Sequence, residues 1–233
     1  ARVMPSVITF NTVIRALAQA TKSEEAEALM RRMQESGIAP TSVTYGILLE
    51  GCSQSGDIEK AFDLMQEMDR VRVGRSQVTY NTVMKALHRA GRSSEVQQLF
   101  DKMLASGFRP TEESMSILIA AAVKTAGKAS AGLVWIDKLE ELNVEPTVAH
   151  YAPCLIHLAQ EKQGVPAIRQ FLPMMVAKGV PLNDYLQSTL LQYIGPLLFE
   201  LVPEHLLAFP DQRSEREREA YERQRAAART VPK

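Results

Sequence analysis

The chain has 233 residues, enough for one large domain or two small ones, and 45% of them are hydrophobic, as is usual for a globular protein. Its 27 basic residues equal its 27 acidic residues, so the chain lacks the basic excess expected of a protein that binds duplex nucleic acid strongly. The longest apolar run, from Ile117 to Val123, is far shorter than the ~20 residues that a membrane span requires. We therefore expect no membrane span.

The cysteine content and the start of the chain bear on the compartment. Cys52 and Cys154 form no C-x-x-C pair and are too few for a disulfide framework, so a reducing compartment is the default expectation. The sequence begins at Ala1 with no signal-like apolar stretch. We expect any targeting segment to have been removed or to lie outside this sequence.

A sequence pattern recurs along the chain with a period of 35 residues. Copies of it begin at Val7, Ser42, Gln77 and Glu112, and a fifth begins at Val148 after a spacing of 36 residues. The copies read VITFNTVIRAL, SVTYGILLEGC, QVTYNTVMKAL, EESMSILIAAA and VAHYAPCLIHL. Such self-similarity predicts a repeat architecture in which each copy is one supersecondary unit.

Within each repeat the apolar residues follow helical spacing. In the first repeat they are Phe10, Val13, Ile14 and Leu17, followed by Ala26, Leu29, Met30 and Met33. This spacing predicts two amphipathic helices per repeat, which we call its first and second helix. One hairpin of this size cannot bury its apolar face alone, so neighbouring repeats must stack around a continuous core. The sequence therefore predicts an all-α solenoid.

Breaks between the helices set the predicted boundaries. Proline recurs at one position of the repeat, where only Arg75 differs; the prolines are Pro5, Pro40, Pro110, Pro146 and Pro181. The predicted array covers residues 6–182, with repeats at about 7–41, 42–76, 77–111, 112–147 and 148–182. Asp57 and Ser93 follow glycine-containing breaks and are predicted N-caps of second helices.

The repeat pattern fades towards the C-terminus. Pro153 and Pro173 fall inside the two predicted helices of the fifth repeat, where each would cost about 3 kcal/mol or more in an undistorted helix. Residues 183–210 are predicted to form a partial repeat that caps the array. Residues 211–233 are predicted to form a charged helical tail that begins at a capping box of Ser214 and Glu217. This tail is either solvated or docks on a partner or on RNA.

Several segments resemble one known repeat family. VITFNTVI, SVTYGILL and QVTYNTVM, with SGIAP and SGFRP at the ends of repeats, are similar to the pentatricopeptide repeat (PPR) family, whose repeats open with V-T-Y-N-T-L-I and close near G-I-x-P. A tetratricopeptide array fits less well, because its period is about 34 residues and its signature differs. The resemblance implies a right-handed α-α superhelix of about five to six helix-turn-helix repeats. It also implies binding of single-stranded RNA in a chloroplast or mitochondrion.

The same resemblance implies which residues touch RNA bases. In the family, the fifth and the last residue of a repeat contact one base edge; the matching positions are Asn11 with Thr41, Gly46 with Ser76, Asn81 with Thr111, and Ser116 with Thr147. Amide and hydroxyl groups can donate and accept hydrogen bonds, whereas glycine has no side chain to do so. Among the last residues only Ser76 fits the family's usual Asp, Asn or Ser. The alternative is that the two asparagines merely help to start their helices.

Cations on the first helices are candidates for phosphate contacts. Arg15 and Lys85 occupy equivalent positions, and Arg89 and Lys124 share a second position, where the family often has a phosphate-contacting lysine. Glu50 interrupts the first row. The second row is completed by Gln19, Gln54 and Gln160. The alternative is a plain solvated helix face.

Other recurring residues indicate core packing. Aromatic residues recur in the apolar stripe of the first helices, which indicates core rather than stacking platforms for bases: Phe10, Tyr45, Tyr80 and Tyr151. In the second helices, the methionine series Met30, Met33, Met65, Met68 and Met103 indicates core rather than a cofactor site. Leu139 and Met174 occupy the register of Met33 in the fourth and fifth repeats.

Three residues of the fifth repeat have a spacing that metal ligands can have. His150, Cys154 and His157 are spaced to share one helical face, as metal ligands often are. Because Pro153 disturbs that helix and no fourth ligand is evident, packing is the favoured interpretation. No metal and no cofactor are predicted.

The sequence shows no catalytic motif. It lacks an H-x-E motif with a distant C-x-x-C pair, a glycine-rich phosphate loop and a hydrolase triad, so no enzyme and no small-molecule substrate are predicted. Two functions remain. One is an organellar RNA-binding protein that acts in RNA processing, stability or translation. The other is a scaffold subunit that contacts protein partners in a large organellar assembly, such as a ribosome or a membrane complex; the neutral charge and irregular base code favour it.

Overall fold

The computed structural model describes residues 5–161, 164–195 and 197–207, together with Arg223. The described residues form helices and no strands, which confirms the predicted all-α fold. The helices are α1 (Val7–Gln19), α2 (Ser23–Glu35), α3 (Ser42–Ser55), α4 (Ile58–Arg70), α5 (Gln77–Arg89), α6 (Ser93–Ala105), α7 (Glu112–Ala126), α8 (Ser130–Asp137), α9 (Val148–Gln160), α10 (Gly164–Ala177), α11 (Asp184–Ile194) and α12 (Leu197–Leu201), followed by the short 3-10 helix η1 (Glu204–Leu206). Apart from Arg223, the charged tail predicted over 211–233 lies outside the described residues, and so does its capping box.

The chain divides into two compact units, residues 1–121 and 122–233. In the first unit α1 packs on α2 and α3, and α3 packs on α4 and α5, which in turn contacts α6. Helices α1 and α3 thus each contact the second helix of their own hairpin and the next first helix, so these hairpins share one core as a stacked array requires. Among the most deeply buried side chains of that core are Tyr45, Met68, Leu87 and Met103.

The second unit has a core of its own. Helix α9 packs on α8, α10 and α11, and α12 contacts α10 and α11. Leu155, Phe171 and Leu190 are buried there. The segment around η1 returns to this core, because the Leu182 amide donates a hydrogen bond of 2.7 Å to the Leu206 carbonyl.

A capping box starts four of the first helices. At α1, α3, α5 and α9 a hydroxyl residue is the N-cap, and the side chain three residues later bonds back to its amide. The pairs are Ser6 with Thr9, Thr41 with Thr44, Ser76 with Thr79, and Thr147 with His150. Thr111 and Ser114 exchange the same two bonds before α7, at 2.7 and 3.2 Å. The repeat pattern therefore encodes the helix starts through paired side chains that satisfy free backbone amides.

The second helices begin in different ways. Asp57 is the N-cap of α4 and accepts a hydrogen bond from the Lys60 amide at 3.2 Å, as predicted. The predicted cap at Ser93 is wrong: Arg92 is the N-cap, and Ser93 is the first residue of α6. The Arg92 guanidinium pairs with Glu95 one turn into the helix, with Nη2 at 2.8 Å from Oε2. Helix α6 therefore starts without a side-chain cap hydrogen bond, and an ion pair links its N-cap residue to its first turn.

Arg75 replaces the recurring proline through contacts of its own. Its Nη2 donates to the Met65 carbonyl at 3.1 Å and pairs with the Asp69 carboxylate. The guanidinium carbon lies 5.9 Å from the centre of the Tyr80 ring, within the range of a cation–π contact. These contacts tie the end of α4 to α5 where other repeats have a rigid proline.

Helix α10 differs from the second helices of the first unit. Met174, at the position corresponding to three buried methionines, is 42% exposed, whereas Met175 is buried. Met174 therefore shares the register of these methionines but not their burial. The core-facing residues Phe171 and Met175 are four positions apart in this helix, which contains Pro173. Both α9 and α10 continue through their internal prolines.

Within the described part of the chain, no helix combines the length and the apolar character needed to span a membrane.

Candidate nucleic-acid interface

The predicted contact residues share one face of each first helix. In α1 they fall at positions i+3 and i+7 from Ile8, and in an α-helix such residues lie above one another. We define the first-helix face of the first compact unit as Ile8, Asn11, Arg15 and Gln19 of α1, Val43, Gly46, Glu50 and Gln54 of α3, and Val78, Asn81, Lys85 and Arg89 of α5. Because α1 contacts α3 and α3 contacts α5, the three strips are neighbours.

An exposed aliphatic side chain occupies the second position of each of these helices. Ile8 is 78%, Val43 55% and Val78 67% exposed. Each lies one turn before the predicted base-contacting position. Sequence reasoning missed these residues, although their period of 35 residues and their place beside the asparagines on the helix were visible in the sequence.

Asn11 leaves its amide donors available. Its carbonyl oxygen accepts a hydrogen bond of 2.8 Å from the Thr44 hydroxyl, and Thr44 also receives the Thr41 amide at 3.0 Å. Asn11 is half-buried, and its NH2 group has no protein partner among the described residues. A ligand at this position would therefore meet two donors held in place by the cap of the next helix.

Asn81 is held differently. It is buried, and its NH2 group donates to the Thr111 hydroxyl and to the Glu113 carboxylate, each at 3.1 Å. Its carbonyl oxygen is buried without a hydrogen-bond partner in the described residues. The structure thus brings the predicted pair Asn81 and Thr111 together, but both amide hydrogens are already used.

The remaining predicted base contacts vary. Gly46 lies next to open space, since a Cβ built there meets no atom within 4 Å. The Ser116 hydroxyl donates to the Glu113 carbonyl of its own helix at 3.0 Å. Ser116 and its predicted partner Thr147 belong to different compact units.

The last residues of the repeats have a structural task that the sequence reasoning did not assign. Thr41, Ser76, Thr111 and Thr147 all lie at the capping positions of the next first helix. Their hydroxyls already take part in hydrogen bonds at these helix starts, which accounts for the choice of Ser and Thr there.

The predicted phosphate contacts form an interrupted row. Arg15 and Arg89 are exposed and Lys85 is half-buried, and Arg89 Nη1 lies 3.4 Å from the Ser53 hydroxyl. Glu50 sits between the two cationic ends of the row and accepts a hydrogen bond from Gln54 at 3.3 Å. Lys124 is exposed in the second compact unit.

The recurring aromatic residues are buried. Phe10, Tyr45, Tyr80 and Tyr151 are each at most 9% exposed. The Tyr80 hydroxyl lies 3.1 Å from that of Ser106, and burial together with the neighbouring Glu67 carboxylate raises the pKa of Tyr45 to about 12. These side chains have no open ring face for a base.

The His150, Cys154 and His157 group belongs to the helix and its core. The His150 ring accepts the Thr147 amide at 3.0 Å as part of the capping box, and burial raises the pKa of the Cys154 thiol to about 12. His157 lies 3.3 Å from Glu161. In the residues that the structure describes, no group of three or more His, Cys, Asp or Glu side chains is arranged to hold a metal ion.

Stacked helical hairpins with a period of 35 residues define a helical repeat protein. The PPR repeat family model matches residues 5–54, and a model of the pentacotripeptide-repeat region of PRORP matches residues 47–193. The chain belongs to the pentatricopeptide repeat family. A comparison with curated proteins finds no match.

Solved structures share the fold. The pentatricopeptide repeat protein PPR10 from maize is 25% identical with a TM-score of 0.64, covering 82% of this chain and 27% of PPR10. PPR10 in complex with an 18-nucleotide psaJ RNA element gives 17% identity and a TM-score of 0.67 over 83% of this chain and 28% of PPR10. The chain thus spans little more than a quarter of PPR10.

Two solved structures of protein-only RNase P also share the fold over a similar part of this chain. The PPR domain of Arabidopsis thaliana protein-only RNase P 1, in complex with tRNA, is 15% identical with a TM-score of 0.61, over 78% of this chain and 95% of that domain. Nuclear proteinaceous RNase P 2 from A. thaliana is 12% identical with a TM-score of 0.62, over 80% of this chain and 41% of that chain.

Proposed function

We propose that this chain binds single-stranded RNA on its first-helix face and does not itself catalyse a reaction. The observation that carries the proposal is the order of side chains on that face. In α1 an exposed aliphatic residue, an amide with open donors and an arginine follow one another along the helix, and α5 repeats the aliphatic–amide–cation order. Membership of the PPR family supports the proposal, as do PPR structures that contain RNA.

Each element of this order suits one part of a nucleotide. Exposed aliphatic side chains such as Ile8 offer an apolar contact to the flat face of an unstacked base. The Asn11 amide offers hydrogen bonds to the base edge. Arg15, one turn further, is placed to neutralise a phosphate. By the family resemblance, the equivalent base positions are Gly46, Asn81 and Ser116, the last residues of the repeats are Thr41, Ser76, Thr111 and Thr147, and the further phosphate contacts are Lys85, Arg89 and Lys124. Of the base positions in the first compact unit, Asn11 is the one whose amide hydrogens have no partner among the described residues.

The first test is charge reversal on this face. Arg15, Lys85 and Arg89 are changed together to glutamate, and binding of a short single-stranded RNA pool is followed by electrophoretic shift at several salt concentrations. We expect affinity to fall by roughly tenfold or more, and the slope of log affinity against log salt to lose about two of its units, because each phosphate contact contributes about 0.7 for single strands.

A matched control reverses one exposed charge on each second helix. Arg32, Arg70 and Lys102 are exposed in α2, α4 and α6 and lie off the first-helix face. Their triple change to glutamate alters the net charge equally and should weaken binding much less. Equal loss in both triple variants, or no binding by the unmodified chain, would contradict the proposal.

We further infer an organellar role in RNA processing, stability or translation, in a chloroplast or mitochondrion. The family resemblance supports this inference. The fold alone does not define the compartment, since nuclear proteinaceous RNase P 2 shares it. Imaging of the tagged full-length protein tests the inference, and a signal confined to the nucleus or cytosol would contradict it.

A second candidate function is that of a scaffold subunit in a large organellar assembly. The acidic residue on the first-helix face, Glu50, favours it, because it interrupts the row of cationic side chains. Cross-linking followed by purification separates the two functions. A stoichiometric set of protein neighbours without RNA contact would support the scaffold, whereas cross-linked RNA would support the first proposal.

A further inference from the structure

The second position of the first helices changes character at α7. It is aliphatic and exposed at Ile8, Val43 and Val78, but the equivalent residue of α7 is Glu113. This position lies at the start of the helix that follows each predicted base-contacting residue. In α7 this residue contacts the base-contacting asparagine of the preceding repeat, Asn81.

The structure shows the consequence at Asn81. The Glu113 carboxylate lies 3.1 Å from the Asn81 NH2 group, and the Thr111 hydroxyl takes the other hydrogen at 3.1 Å. A carboxylate can only accept hydrogen bonds when ionised, so this contact fixes the orientation of the Asn81 amide. Because both amide hydrogens of Asn81 are bonded and the side chain is only 4% exposed, no donor is available to a base.

The first repeat supplies the comparison within the same chain. There the residue equivalent to Glu113 is Val43, which has no acceptor and stays exposed. Asn11 bonds through its carbonyl oxygen to Thr44 instead, and its donors remain available. Two asparagines at the same repeat position therefore present different chemistry, because they bond to different residues of the following helix, Thr44 in one case and Glu113 in the other.

We propose that Glu113 occupies the base site of the third repeat and closes it to RNA. This inference rests on the proposed RNA-binding function. The carboxylate accepts the hydrogen bond from Asn81 that the edge of a base would otherwise accept. Its negative charge also repels the phosphate backbone of an RNA bound nearby. RNA is then read at Asn11 but not at Asn81.

The test is a double-mutant cycle on RNA affinity. Glu113→Val restores the aliphatic residue found in the earlier repeats, and Asn81→Ala removes the amide. Fluorescence anisotropy with a labelled random pool of short single-stranded RNA should show roughly three- to tenfold tighter binding for Glu113→Val, as expected for a regained hydrogen bond. Asn81→Ala should weaken binding by less than about twofold in the unmodified chain, and should abolish the gain in the Glu113→Val background.

Glu113→Gln is the matched control, because it removes the charge but keeps an acceptor that can stay on Asn81. We expect it to gain less affinity than Glu113→Val. Equal gains for both substitutions would mean that charge alone matters and would overturn the closed site. An unchanged affinity for Glu113→Val, with the unmodified chain still binding RNA, would also overturn it. Absence of binding by every variant would instead contradict the proposed function on which it rests.

The Glu113 substitutions alone keep the inference testable if Asn81→Ala does not fold. Glu113 is exposed, so we expect both Glu113 variants to fold, with a lower melting temperature for Glu113→Val because a buried amide hydrogen of Asn81 then loses its partner. Thermal unfolding followed by circular dichroism verifies this for each variant before RNA is added.

Discussion

Tyr80→Ala should lower the free energy of unfolding of the first compact unit by about 3–5 kcal/mol. Tyr80 is 2% exposed, its hydroxyl lies 3.1 Å from that of Ser106, and its ring centre lies 5.5 Å from that of Phe108. Truncation would remove these contacts and leave a cavity between α5 and α6. Chemical denaturation followed by circular dichroism measures the loss.

Tyr80→Phe is the control that keeps the ring. It removes only the hydroxyl contact, so we expect a cost of about 0.5–1.5 kcal/mol and unchanged RNA affinity. If Tyr80→Phe remained as stable as the unmodified protein but lost RNA binding, Tyr80 would be part of the RNA site rather than of the core.

Phe171→Ala should destabilise the second compact unit by a similar amount, about 3–5 kcal/mol. Phe171 is 3% exposed, and its ring packs edge-on against Tyr151 with the centres 5.9 Å apart. Such an aromatic pair contributes more than its buried area alone. Met174→Ala in the same helix is the control, because Met174 is 42% exposed and its truncation should cost much less, about 0.5 kcal/mol.

The labelling rate of one cysteine in each unit shows which unit a substitution destabilises. Burial raises the pKa of Cys52 and of Cys154 to about 12, so neither thiol should react with a disulfide reagent near neutral pH while its unit is folded. In an array stabilised by neighbouring contacts, local damage opens nearby helices first. Phe171→Ala should therefore accelerate labelling of Cys154 more than that of Cys52. The opposite order would show that Phe171 does not stabilise the second unit.

Much of the fold could be predicted because it depends on periodic apolar positions. The starts of α1, α3 and α5 follow from aromatic and hydroxyl residues that recur every 35 residues, and burial of Tyr45 and Tyr80 follows from the same pattern. The pattern was misleading at Met174, where the core-facing residues are four positions apart instead of three. It also did not identify Arg92 as the N-cap of α6, because this helix begins one residue earlier than expected and has no side-chain cap hydrogen bond.

The candidate site was harder to predict because hydrogen bonds are shared between repeats. The sequence indicates Asn11 and Asn81 as equivalent, yet their donors differ through Thr44 and Glu113, which lie more than thirty residues away in the chain. Periodicity identifies a position but not which partner uses its amide. The exposed aliphatic row was predictable in principle, since its spacing is regular and its residues precede the asparagines by one turn.

Photo-cross-linking to RNA tests the central proposal most directly. Single-stranded RNA carrying 4-thiouridine is bound to the full chain and irradiated, and the cross-linked peptides are identified by mass spectrometry. We predict cross-links in the N-terminal halves of α1 and α3, around Ile8 to Asn11 and Val43 to Gly46. Cross-links confined to α2, α4 or α6, or no cross-links at concentrations where the RNA is retained, would contradict RNA binding on the first-helix face.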